Sequence, residues 1–387
     1  MRCKGSPLMP RIRDLVVLDL LTSETSALVL QLSPSLRSLN ILFSLEAEKE
    51  DRPIAPNVAS SLLETIPLIA PNLEKFYCDI DVDISRGFIE SFAHCARLNT
   101  LSMSAALPLD GGALRMLPSI PSLRDLTCSI DLSRKSEPLR PYTFQHLMRL
   151  QVAGPFDDLT AFISACELPS LTCITVRFQQ PPSAQHPLNL LTAICQRCNP
   201  ALLTSFSTHV LYQFFANTPR LMEYFEPLLA LPNIKSFRLW FSHAIPSIHD
   251  DDLTRIGTSW PRLSYFSVSR LPMKLDVPPD LVRPTLSALV DLARRCPHLE
   301  SFGVPELDAK VVPEENAAAL PLGHALRSLS VGDVVLPWPE PITHLAGVAK
   351  VVDRVFPSIE LREPRMSVNG WVRLLRLLKT MRVSREP

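Results

Sequence analysis

Apolar and polar residues alternate in one short phrase that recurs from one end of the chain to the other. It reads PSLRSLNI at Pro34, PNLEKFYC at Pro71, ARLNTLSM at Ala96, PSLRDLTC at Pro121, PSLTCITV at Pro169, PNIKSFRL at Pro232, PRLSYFSV at Pro261 and PHLESFGV at Pro297. Weaker copies fill the gaps: PRIRDLVV at Pro10, HLMRLQV at His146, LLTSFS around Leu203, ALRSLSV at Ala325 and a degraded PSIEL at Pro357. Counted from its first aliphatic residue, each phrase is apolar at positions 1, 4 and 6, so positions 4 and 6 alternate with polar residues as a strand with one buried face requires. A polar, often acidic stretch follows, then a helical pattern: Asp83-Ile84-Ser85 before GFIESFAHC, Asp157-Asp158 before LTAFISAC, and Asp250-Asp251-Asp252 before LTRIG. Acidic residues there accept the free first-turn amides and oppose the positive end of the helix dipole. The next proline then ends the helix.

The first aliphatic residues are Ile12, Leu36, Leu73, Leu98, Leu123, Leu147, Leu171, Leu203, Ile234, Leu263, Leu299, Leu326 and Ile359. The four steps from Leu73 to Leu171 are 25, 25, 24 and 24 residues, inside the period of leucine-rich repeats, and the longer steps elsewhere mark inserted loops. A strand-plus-helix unit of this size cannot bury its apolar face without neighbours on both sides, so the units stack. The pattern predicts an α/β fold: a horseshoe-like leucine-rich-repeat solenoid with a parallel concave sheet and outer helices. It spans residues 1–365 as one continuous array of about 12–13 irregular repeats, followed by a capping helix and tail over 366–387.

The PxLxxL phrases and the cysteines that close several helices resemble the irregular leucine-rich-repeat region of fungal F-box proteins, over nearly the whole chain. That resemblance implies a substrate receptor of a cullin-type ubiquitin ligase, in which an F-box docks on a Skp-type adaptor and the repeats hold a substrate protein. An F-box opens on a helix of the type LPxEhhxxIFxxL, with h apolar, and no such helix is read before Ile12. The adaptor is therefore implied only if an F-box precedes this chain, and a stand-alone repeat scaffold or regulatory protein is the other expectation.

Composition narrows the partners. Lys+Arg and Asp+Glu both number 39, which leaves no net field to attract nucleic acid or an anionic membrane surface. Apolar residues make up 46% and charged residues 20%, enough to bury a large core and against disorder. The nine cysteines are odd in number and scattered, which fits a reducing compartment better than a disulfide scaffold. Asp14 and Asp19 interrupt any signal-peptide core near the N-terminus, and no stretch approaches the ~20 apolar residues that cross a bilayer. The expectation is a monomer of the cytoplasm or nucleus that binds a protein, with no cofactor.

Candidate chemistry is sparse. Cys195 and Cys198 form a CxxC without a second pair to complete a zinc site, and Cys95, Cys166, Cys198 and Cys296 recur just ahead of strand leucines, which suits small buried fillers. His243, His249 and Asp250 to Asp252 are the residue types a metal or general base would use, but their place between strand and helix makes the aspartates helix-start residues first. Asp110-Gly111-Gly112 reads as a turn, and no GxSxG, HExxH, dinucleotide or phosphate-loop motif occurs, so no catalytic residue is named and the chain is not expected to be an enzyme. The run from Gly370 to Arg385 sets Arg373, Arg376, Lys379, Arg382 and Arg385 against Trp371, Leu374, Leu375, Leu377 and Leu378, a cap for the last repeat.

Positions 3, 5 and 7 of each phrase face away from the core, and adjacent strands set them in rows about 4.8 Å apart. Early repeats put Ser38, Asn40, Lys75, Tyr77, Asp79, Thr100, Ser102 and Ser104 there. Later repeats put Arg177, His209, Arg238, Trp240 and Tyr265 there, with Arg177, His209 and Trp240 in the seventh row. Trp, Tyr and Arg combine large apolar area with a polar handle, which makes these five residues the expected protein-binding surface.

Overall fold

The computed structural model describes residues 9, 11–18, 28–29, 31–42, 56–79, 88–104, 107–133, 139–178, 186–210, 220–242, 245–270, 281–313, 323–337, 342–361 and 369–384. The chain divides into two compact units, one of residues 1–179 with 196–199, the other of residues 180–195 with 200–387. Each is an α/β repeat array, a parallel sheet with helices against one of its faces.

In the first unit, strands β1 (Asp14–Leu18), β2 (Ser38–Leu42), β3 (Lys75–Asp79), β4 (Thr100–Met103), β6 (Asp125–Ile130), β8 (Arg149–Gly154) and β10 (Cys173–Phe178) lie side by side in chain order. The short β5 (Pro108–Leu109) pairs with β6, and β7 (Tyr142–Thr143) with β9 (Cys166–Glu167). The second unit orders β11 (Ser205–Val210), β12 (Ser236–Phe241), β13 (Tyr265–Arg270), β14 (Ser301–Asp308) and β15 (Ser328–Val335) in the same way. All these pairs are parallel, and the register matches third position to third position: Asp14, Ser38, Lys75, Thr100, Asp125, Arg149 and Cys173 in one unit, Ser205, Ser236, Tyr265, Ser301 and Ser328 in the other. The rows expected from the phrase are thus real rows of the sheets.

Backbone hydrogen bonds explain the phrase residue by residue. At Leu36, Leu73, Leu98, Leu123, Leu171, Leu263 and Leu299 the first-position N–H closes a turn onto the carbonyl three residues earlier, with proline second in most of these turns, where its fixed φ suits the bend. The residue after the proline reaches back one repeat: Asn72 Nδ2 donates to the Pro34 carbonyl at 2.9 Å, and Ser122 Oγ to the Ala96 carbonyl at 2.9 Å. Most second-position carbonyls then accept two N–H groups of the next repeat, as Arg37 O does from Glu74 and Lys75 at 2.7 and 2.9 Å. Every donor that the turn frees is satisfied by a neighbour, which ties one unit of chain to the next.

Inward positions form the core. Strand β12 alternates half-buried and buried residues along SFRLWF, and Phe237, Leu239 and Phe241 are buried. Fourth-position phenylalanines stack through the second unit, Phe206 to Phe237 at 5.9 Å, Phe237 to Phe266 at 5.7 Å and Phe266 to Phe302 at 5.4 Å. Helices close over this ladder: α1 (Asp250–Ser259) buries Leu253 and Ile256, α2 (Leu286–Arg295) buries Leu286, Leu289 and Leu292, and Trp260 lies 5.0 Å from Phe237. The last phrase lies within the described residues only as far as residue 361. Ile359 is buried and Glu360 N–H bonds the Arg327 carbonyl at 2.8 Å, while Arg362 and Pro364, which hold the inward positions in the sequence, lie outside the described residues. After it, α3 (Asn369–Val383) buries Trp371, Leu374, Leu375 and Leu378, and Arg382 bonds Asp353 and the Ile359 carbonyl, each at 2.8 Å. Arg385 lies outside the described residues.

Candidate binding surface

The face of each sheet opposite the helices is the surface to examine. In the second unit it carries two interlocked pairs. His209 and Trp240 are register partners on β11 and β12, and their rings lie 4.5 Å apart at 41°. Arg238, two residues back on β12, lays its guanidinium over the Tyr265 ring on β13 at 4.0 Å from the centroid. All four side chains are half-buried, and among the described residues Arg238 has no ion pair, its buried Nε being without a hydrogen-bond partner. A guanidinium held flat on an aromatic ring keeps its edge for a carboxylate or carbonyl while losing little further freedom on binding. Beyond Tyr265 the surface is small: Ser267 and Ser269 on β13, Ser301 and Gly303 on β14. An added Cβ on Gly303 would come within 3.2 Å of Ser267 Oγ, so glycine keeps this shelf level.

Arg177 belongs to the first unit, at the end of β10, where its buried Nε also lacks a partner. It is grouped here with the open face of that unit and not with the other four residues.

The helix-start aspartates act structurally. Asp252 is fully buried: Oδ2 accepts the His249 N–H at 2.9 Å, and Oδ1 accepts Arg220 Nε at 2.6 Å. Asp251 takes the other edge of Arg220 at 2.6 Å, and Asp250 accepts both the N–H and the hydroxyl of Thr285 at 2.8 Å. Thr285 in turn caps α2 by accepting the Ala288 N–H at 3.2 Å. The starts of the helix Leu221–Phe225, which Arg220 precedes, and of α1 and α2 are stapled together in this way. Among the described residues, no group of three or more His, Cys, Asp or Glu side chains is arranged to hold a metal, and His243 lies outside them, as do Asp83, Ile84 and Ser85. Asp157 and Asp158 lie in the first turn of the helix Phe156–Ala165, as expected, and Asp158 also accepts the Leu132 N–H of the neighbouring repeat at 2.8 Å. Asp110-Gly111-Gly112, expected as a turn, is a helix start: Asp110 Oδ1 accepts the Ala113 N–H at 2.9 Å, ahead of the helix Gly111–Met116.

Cys78, Cys95, Cys128, Cys166, Cys198 and Cys296 are buried in the core. Burial pushes the thiols of Cys95 and Cys195 up to about 11 and those of Cys128 and Cys296 to about 12, and moves Cys78 and Cys166 upward as well. Cys195 donates to the Pro227 carbonyl at 3.2 Å. Thiols held protonated are poor nucleophiles, so among the described cysteines iodoacetamide at pH 8 is expected to label the more accessible Cys173 ahead of Cys78, Cys128, Cys166 and Cys296, which react only as fast as the protein unfolds. Peptide mass spectrometry over a time course checks this, and fast labelling of Cys128 in folded protein would refute it.

No helix among the described residues is long and apolar enough to cross a membrane. No family model and no curated protein matches the chain. Among solved structures, the chain is similar to a protein from Bacteroides fragilis crystallised as a structural-genomics target, at 13% identity over 61% of this chain and 78% of that one, with a TM-score of 0.34. A likeness that low carries no argument about either fold or function.

Proposed function

We propose that the chain is a non-catalytic, protein-binding leucine-rich-repeat protein whose second unit holds its partner on the face carrying His209, Arg238, Trp240 and Tyr265. The observation that carries this reading is the pair of stacks, Trp240 on His209 and Arg238 on Tyr265. Ordered, half-exposed Trp, Tyr and Arg dominate measured binding energies because they desolvate a large area at small entropic cost. The resemblance to fungal F-box proteins supports a partner that is a ligase substrate, with a Skp-type adaptor engaged only if an F-box precedes this chain.

The test is capture of partners by the full chain compared with its variants. Trp240→Ala and Arg238→Ala are each expected to weaken the captured interaction by more than about 1 kcal/mol, while Arg294→Ala, on the exposed side of α2, leaves it unchanged. A partner held equally by all three variants would refute this surface. Co-purification of a Skp-type adaptor decides between the ligase reading and a stand-alone scaffold.

A further inference from the structure

The open face of the first unit carries a polar trough with a carboxylate at one end and a guanidinium at the other. The seventh phrase position of five consecutive phrases supplies Asp79, Ser104, Ser129, Ala153 and Arg177. Ala153 is the register partner of both Ser129 and Arg177, and Ser104 N–H bonds the Cys78 carbonyl at 2.9 Å, continuing the ladder towards Asp79. Four strand steps of about 4.8 Å set the two ends about 19 Å apart, with nothing larger than serine on the floor between them. Tyr77, Ser102, Thr127 and Gln151, from the fifth row, line one side, and the depression measures about 490 Å³.

Its two end charges are uncommitted. Neither Asp79 nor Arg177 makes an ion pair among the described residues, and within the trough the buried Arg177 Nε and Asn40 Oδ1 have no hydrogen-bond partner. The third row of the same sheet behaves differently. There Arg149 grips Asp125 with bonds of 2.7 and 2.8 Å, and beside it Arg37 holds Glu74 at 2.5 Å. A donor kept out of water without a partner is unfavourable, which a bound acceptor would relieve. The opposed charges do not suit a polyanion, and the hydroxyl-rich lining does not suit an apolar molecule.

We propose that this trough binds an extended peptide segment lying across the strands, with an acidic side chain on Arg177 and a basic side chain on Asp79. An extended chain advances about 3.3 Å per residue, so the two charges of the ligand stand five to six residues apart. The proposal goes beyond the reading of the second unit and shares none of its four residues.

The experiment uses the full chain and fluorescent octapeptides, acetylated and amidated, built of Gly, Ser and Gln with one Lys and one Glu at every separation from one to seven. Fluorescence anisotropy is expected to show tightest binding at a separation of five or six. At that separation, changing the peptide's Glu to Gln weakens binding about tenfold to the wild-type protein but not to Arg177→Gln, and changing its Lys to Gln behaves likewise against Asp79→Asn. Both substitutions sit on the open face, and unchanged thermal melts confirm that they fold. The proposal is overturned if no peptide in the series binds, if affinity ignores the separation, or if loss of the Glu is felt equally by wild type and Arg177→Gln. Peptide binding that falls with Trp240→Ala and not with Arg177→Gln would also overturn it, while supporting the separate surface of the second unit.

Discussion

Leu239→Ala is expected to destabilise the second unit by about 2–5 kcal/mol, while Trp240→Ala, one residue along, changes its stability by less than about 1 kcal/mol. The contrast follows from the strand phase. Leu239 is completely buried, with Thr208 and Val268 as its register partners on the adjacent strands, so its truncation leaves a cavity that those neighbours cannot fill. Trp240 points to the other face, where its ring touches His209 and stays half-exposed, so its removal strips surface contact without opening the core. Leu126, buried at the fourth position of β6 in the first unit, should also lose stability on truncation to alanine. Thermal melts with hydrogen exchange read over Ser236–Phe241 measure both effects. Equal losses for Leu239→Ala and Trp240→Ala would make Trp240 a core residue and remove the binding surface built on it.

The phase of every strand was legible because a one-faced strand imposes a period of two, and a slip of one residue would have exposed Leu239 and buried Trp240. The turn was legible too, since proline needs a fixed φ and the following Ser or Asn needs a carbonyl to reach, as Ser35 finds at Ile12 and Asn72 at Pro34. What the linear pattern hid lies between strands. Arg238 over Tyr265 joins residues on adjacent strands but two positions out of register, a diagonal that rows alone do not reveal. Asp79 looked unremarkable within its own phrase, and its opposition to Arg177 emerges only when one position is followed across five strands. Strands β14 and β15 run to eight residues, past the seventh position, and the Arg283 to Glu306 ion pair and Asp333 occupy that extension.

The histidine and aspartate cluster that first suggested a metal makes the last prediction, and it concerns stability. Asp252 is wholly buried at the start of α1, and the charge it carries is balanced by Arg220 at 2.6 Å. Hydrogen bonds to Asp251 and Asp252 push the Arg220 guanidinium further up from its ordinary value, so it stays charged throughout any practical pH range. Arg220→Ala should therefore cost about 2–4 kcal/mol, because it strands a carboxylate out of water. The figure lies at the lower end for buried pairs since the Arg220 side chain is itself 30% exposed and water can replace part of it. If the stranded charge is the cause, adding Asp252→Asn to Arg220→Ala should recover much of the loss, because asparagine keeps an oxygen for the His249 N–H and carries no charge. Denaturant melts of the wild type, Arg220→Ala and the double variant decide it. A double variant no more stable than Arg220→Ala would mean that Arg220 acts by packing and by its link to Asp251, and that the buried charge of Asp252 is tolerated by the helix start alone.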